Sequence, residues 1–154
     1  MAANKKSKGL VSLGFALKVE NDWPPAAVES LPFTTGLVER YRLKKPPLFV
    51  KDLSVDDVIA VKKFDLDGNV VSWRHVVRSK RTTIWMLRLR QTTSINQALG
   101  ELRKLGCNTV GLDHVGCYSI DVPENLGIEE VDKVFSILDS ECVAIAFPSM
   151  RHPE

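Results

Sequence analysis

Six short stretches between residues 82 and 147 decide the fold: TTIWMLRL at 82–89, SINQALGELRKLG at 94–106, TVGLD at 109–113, CYSIDV at 117–122, IEEVDKVFSIL at 128–138 and CVAIAF at 142–147. In the first, Trp85, Leu87 and Leu89 alternate with Ile84, Met86, Arg88 and Arg90, which is the two-residue period of a strand. In the second, Ile95, Ala98, Leu99 and Leu102 fall at helical spacing. Ser94 and Gln97 read as a capping box ahead of that stripe, and Gly106 as its C-terminal stop. Thr109–Asp113 and Cys117–Val122 read as a strand pair joined through His114-Val115-Gly116. Ile128, Val131, Phe135 and Leu138 give a second helix its apolar face. Glu129 and Glu130 sit in its first turn, where the helix dipole favours acids. Cys142–Phe147 is a last strand, and Pro148 ends it. Strand–helix–strand–strand–helix–strand is the ferredoxin-like split βαβ order. That fold hosts many unrelated activities, so it predicts architecture and not function.

Upstream of Ser79-Lys80-Arg81 the pattern is strands only. Val11, Leu13, Phe15, Leu17 and Val19 alternate with Ser12, Gly14, Ala16 and Lys18, as in a half-buried strand. Asn21-Asp22 is a turn pair, and Trp23-Pro24-Pro25 leads in extended form to a second strand with Val28 and Leu31 near its end. Trp23 reads as structural, a large apolar ring covering a barrel edge. Thr34-Thr35-Gly36 is the next turn, Leu37–Leu43 a third strand interrupted by Lys44-Lys45-Pro46-Pro47, and residues 52–57 a turn. Val58–Phe64 and Val70–Arg78 form a hairpin across Asp65-Leu66-Asp67-Gly68-Asn69. Short strands at this spacing predict a small barrel. The expected class is therefore α+β, with a small barrel-like β domain at 9–79 followed by a ferredoxin-like βαββαβ domain at 82–148.

Composition removes several function classes. The chain has 154 residues, is 44% hydrophobic and 26% charged, and so reads as globular. No apolar run approaches the roughly 20 residues of a membrane helix. Lys5, Lys6 and Lys8 before Leu10–Leu17 resemble a short export signal, but Lys18 and Glu20 follow at once, so the cytoplasm is the expected compartment. Cys107, Cys117 and Cys142 are odd in number and widely spaced, which argues against a disulfide framework or a zinc site. The net charge of +2 hides an asymmetry. Residues 1–112 carry 19 Lys and Arg against 10 Asp and Glu, whereas residues 113–154 carry 2 against 9. Such separation suits a charged partner.

No catalytic constellation stands out. Asp113, His114 and Cys117 are close in sequence, but a turn histidine beside a strand cysteine lacks any sign of an oxyanion hole. Asp65-Leu66-Asp67-Gly68 has its glycine too early for a calcium loop, and Val76 stands where that loop needs Glu. No phosphate-binding glycine motif occurs. No cofactor and no metal is expected. Two charged surfaces remain. Arg74, Arg78, Lys80, Arg81, Arg88 and Arg90 place six positive charges and no acid within 17 residues, a stripe that could meet phosphates. Tyr118 shares its strand face with Ile120 and Val122, so it points to the core. The opposite face offers Cys117, Ser119 and Asp121, without stacking rings, and only weak nucleic-acid binding is expected. Glu124, Glu129, Glu130 and Asp132 gather acid around the second helix and could meet a basic protein.

Several segments together carry a family resemblance. Asp22-Trp23-Pro24-Pro25 precedes Val28-Glu29-Ser30-Leu31, and Pro47-Leu48-Phe49-Val50-Lys51-Asp52-Leu53 runs into Asp57-Val58-Ile59-Ala60-Val61. Later come Leu102-Arg103-Lys104-Leu105-Gly106-Cys107 and Tyr118-Ser119-Ile120-Asp121-Val122-Pro123. Over roughly residues 10–147 the chain resembles the bacterial domain of unknown function numbered 4265. Asp56 stands where that family's pattern has Gly before Asp57. The resemblance implies a small, bacterial, two-part α+β protein, and it does not imply an activity. The expectation for function is a non-enzymatic protein-binding protein, first an immunity protein that neutralises a partner bacterial toxin. The alternative is a nucleic-acid-binding module using the Arg74–Arg90 stripe. No membrane partner is expected.

Overall fold

The computed structural model describes residues 9–36 and 38–153. Five strands form a closed barrel in sequence order: β1 (Leu10–Ala16), β2 (Val28–Thr35), β3 (Tyr41–Leu43), β4 (Val58–Phe64) and β5 (Val70–Val77). Successive strands pair antiparallel. The barrel closes where β1 and β5 run parallel, through the pair Phe15–Val70. Alternation explains the core. On β1, Phe15 is buried and Val11 and Leu13 pack against the core, while Leu10, Ser12 and Ala16 face out. Phe33, Leu43, Leu53 and Ile59 are wholly buried at its centre, each stabilising by roughly 1.5–3 kcal/mol. Asp65 Oδ1 accepts the N–H groups of Asp67 and Asn69, both at 2.9 Å, and so shapes the β4–β5 hairpin.

The second sheet comprises β6 (Thr82–Arg88), β7 (Asn108–Leu112), β8 (Cys117–Val122) and β9 (Val143–Ser149), in the order β7-β8-β6-β9. All neighbours are antiparallel. Helices α1 (Ser94–Lys104) and α2 (Ile128–Phe135) complete the βαββαβ order. Both cover one face, where Ile84, Met86, Tyr118, Ile120 and Val122 pack against Ile95, Leu99, Leu102 and Val131. Tyr118 is buried on this face as the alternation requires. Gly111 on β7 faces its ring: a Cβ there would lie 2.6 Å from Tyr118 Cδ1, so only glycine lets the ring close over the strand. Gly106, at φ +108°, ends α1, and Cys107 N–H returns to Leu102 O at 3.0 Å.

Several boundaries differ from the sequence reading. The second strand begins at Val28 and runs through Thr34 and Thr35, which were expected in a turn; those residues instead pair with Arg42 and Tyr41. The third strand is only Tyr41–Leu43, because Glu39 at φ +60° turns the chain before it and prolines follow. The expected start of that strand at Leu37 lies outside the described residues, as do Lys5, Lys6 and Lys8. The capping box does not form: Thr93 precedes α1 without a side-chain cap, and Thr92 Oγ1 accepts the Ser94 N–H at 3.2 Å instead. Helix α2 stops at Phe135, short of Leu138. There the Ser136 hydroxyl donates to Lys133 O at 2.6 Å, and Ile137 and Leu138 tighten into i to i+3 bonds. Trp23 was expected to cover a barrel edge; its ring is 48% exposed, in edge contact with Phe49 at 6.0 Å.

Candidate protein-binding surface

The barrel meets the second sheet on the face opposite the helices, and the junction absorbs most of the buried polar groups. The segment between β3 and β4 lies on that face. Pro47 O accepts from Trp85 Nε1 at 2.7 Å and from Ser119 Oγ at 2.6 Å. Ser54 Oγ lies 2.9 Å from Thr83 Oγ1 and 2.8 Å from Ser149 Oγ. Asp57 sits at the centre with its side chain fully buried. It accepts the N–H groups of Ser54 and Ser79, both arms of the Arg151 guanidinium at 2.9 Å, and lies 3.0 Å from His75 Nε2. Burial pushes its pKa up, but the Arg151 pair and the two backbone donors outweigh that and hold it below the ordinary carboxylate value. Among the described residues no buried side-chain polar atom is left unpaired.

The basic stripe is divided up by acids of the chain itself. Arg81 forms a bidentate pair with the buried Asp121, at 2.9 Å and 2.6 Å, and Asn108 Nδ2 donates to the same carboxylate. Arg78 pairs with Asp52 at 2.9 Å. Arg88 reaches Asp113 and donates to the Tyr118 hydroxyl at 3.0 Å. Arg74, Lys80 and Arg90 remain exposed. The six charges therefore do not form one continuous face. A composition count registers the arginines but not their partners, since Asp52, Asp113 and Asp121 lie 25 or more residues away in sequence from the arginines they hold.

The acidic group behaves differently. Glu124 lies in the turn after β8, Glu129 and Glu130 in the first turn of α2, and Asp132 one residue further on from Val131. All four are exposed. Glu130 has a loose pair with Lys133 at 3.4 Å; among the described residues Glu124, Glu129 and Asp132 have no ion pair. Beside Glu129 and Asp132 lies an open cavity of about 570 Å³, lined by these two with Ile128, Phe147 and Met150. Phe147 is 46% exposed and Met150 38%. Sequence reasoning did not single out these two apolar residues. Phe147 lies near the end of the edge strand β9, and nothing in a one-dimensional pattern shows that the short α2 leaves it uncovered.

The remaining candidates are not assembled as sites. Cys117 Sγ lies against Val115 O at 3.6 Å, while His114 is exposed. Asp113 is held by Tyr118 and Arg88, not by His114. Burial raises the Cys107 thiol to about 12 and also raises Cys117; Cys142 is raised as well, by desolvation and by Asp139. None has the lowered pKa that makes a nucleophile. Asp65 spends Oδ1 on its own turn, as described, and no cluster of three metal-ligating side chains occurs among the described residues. No helix is long and apolar enough to cross a membrane.

Comparison with known proteins agrees with this architecture. A search of curated proteins gives no match. The chain is similar to a solved structure described as "Novel crystal structure of a hypothetical protein from Neisseria gonorrhoeae", with a TM-score of 0.64 and 11% identity over 95% of this chain and 97% of that one. At that identity the likeness shows the fold alone. Residues 29–144, well over half of the chain, match the family described as "Domain of unknown function (DUF4265)", and the chain belongs to that family.

Proposed function

We propose that this is a cytoplasmic, non-enzymatic protein-binding protein, and specifically an immunity protein that neutralises a basic bacterial toxin through the α2 surface. One observation carries the reading. Among the described residues Glu124, Glu129 and Asp132 have no ion pair, and Glu129 and Asp132 border exposed Phe147 and Met150, whereas three of the six stripe charges are taken up by internal pairs. Exposed apolar side chains rimmed by like charges form a contact surface of the usual kind, with apolar anchors for affinity and charge for steering. Acids at a helix N-terminus also stabilise the helix itself, but this does not account for Glu124 outside α2 or for the uncovered Phe147. Three free thiols suit a reducing compartment.

The test is capture of a partner from an extract of the host, with the wild-type chain and the Glu124→Lys/Glu130→Lys double variant side by side. The reading expects one basic protein, retained by the wild type and lost or much reduced with the variant. Equal retention by both would place the contact on another surface. A gel-shift titration at physiological salt should show only salt-sensitive, sequence-independent association with nucleic acid.

A further inference from the structure

The three tryptophans of the chain, Trp23, Trp73 and Trp85, come from distant points in the sequence, yet all three line one cleft. The cleft lies where the barrel faces the second sheet, has a volume of about 640 Å³, and reaches the β1–β5 seam at Phe15 and Val70. That volume is within the 300–1,000 Å³ usual for small-molecule sites. Its rings are already arranged. Trp23 meets Phe49 edge-on at 6.0 Å, and Trp73 meets Phe15 edge-on at 6.3 Å. The Trp85 indole is fixed by its bond to Pro47 O.

Trp23 is the anomaly that calls for explanation. It ends a tight turn in which Glu20 and Trp23 exchange both backbone hydrogen bonds, at 2.8 and 3.0 Å. Asn21 and Asp22, at φ +54° and +64°, hold that turn in the left-handed region. This favoured turn fixes the chain on either side of it and so presents a half-exposed ring to the cleft. The charges at the rim choose the ligand. Lys18 and Lys51 line the cleft against one acid, Glu20, which is paired to Lys18 at 3.2 Å. Lys51 has no ion pair among the described residues. The surplus is positive, which rejects a cation and favours an anion.

We infer that this cleft binds a small, flat aromatic anion of about mononucleotide size, its ring against the Trp23 and Trp85 indoles and its anionic group at Lys51 and Lys18. This goes beyond the protein-binding reading. The cleft is on the barrel side of the second sheet and the α2 acids are on the helix side, so either can fail alone.

Because every tryptophan lines the cleft, indole N–H signals in an NMR titration report on it directly. The probes are adenosine and guanosine 5′-monophosphate and indole-3-acetate, each taken to about 5 mM, where even a Kd near 1 mM saturates. At least one should shift the indole signals saturably, and inorganic phosphate alone should not. Trp23→Ala should weaken binding at least about fivefold, the lower end for loss of one stacking ring. Lys51→Ala should weaken it too, and that difference should fade at high salt. Leu66→Ala, which removes an exposed apolar side chain outside the cleft, should leave binding unchanged. The inference is overturned if no probe gives a saturable shift, if phosphate reproduces the shift, or if folded Trp23→Ala and Lys51→Ala both bind as the wild type does.

Discussion

Asp57 joins the two sheets through a single carboxylate. It is fully buried, and Arg151, which answers it from the C-terminal segment, is itself only 11% exposed. Removing one partner of such a pair leaves the other charge buried and uncompensated, so Asp57→Ala should cost about 3–5 kcal/mol in urea unfolding; a change under about 1 kcal/mol would show the junction to be dispensable. The pair also sets a pH dependence. Asp57 titrates below its unfolded value of about 3.9. Its stabilisation is therefore complete above the unfolded value and is lost as pH falls through the lowered one. The stability gap between wild type and Asp57→Asn should be widest near neutrality and narrow below about pH 4. Glu29 acts in the opposite sense. Burial raises its pKa despite the N–H groups of Leu48, Phe49 and Val50. It favours the folded state below its unfolded value, and that contribution is lost as pH rises through the raised one. Trp23 shows how exposure changes a magnitude: a buried ring would cost about 3–5 kcal/mol on truncation, whereas this half-exposed one should cost about 1 kcal/mol. None of the Asp57, Glu29 or Trp23 environments was legible in the sequence. Each depends on a partner or an opening 18 or more residues away.

At the scale of elements, the sequence was most legible where the hydrophobic period was long. The strands β6 and β8 and the helix α1 lie where alternation and helical spacing put them, and the Asp65–Asn69 hairpin forms as its turn residues require. The misses at the helix ends were made by single polar groups, whereas β9 runs through Pro148 to Ser149 although that proline was expected to end it. Ser136 takes the Lys133 carbonyl and shortens α2, although Ile137 and Leu138 still pack on the core. At the start of α1 the Thr92 hydroxyl accepts the N–H of Ser94, a local turn bond that stands in place of the capping box Ser94 and Gln97 promised. Thr92→Ala should therefore destabilise by about 1 kcal/mol, the usual net value of one such hydrogen bond, and Gln97→Ala by much less. If Gln97→Ala proves the costlier in thermal unfolding, a capping box operates after all.

Across the whole molecule, opposite faces of the second sheet have separate work. One packs against the barrel through Pro47, Ser54 and Asp57, and the other is covered by two helices, of which α2 carries first-turn acids that face solvent. The charge asymmetry between the two parts of the chain was plain in the sequence. Which charges stay available was not, because Arg78, Arg81 and Arg88 find their acids only on folding. If the acids on and just before α2 steer a basic partner, the association rate constant with the captured partner, measured against ionic strength for wild type and Glu124→Lys/Glu130→Lys, must show it. Steering through exposed acids predicts a wild-type rate that falls steeply with salt, over a Debye length of roughly 8 Å at physiological strength, and a double variant that associates more slowly with a much flatter salt dependence. Identical rates and identical salt slopes for the two proteins would contradict it.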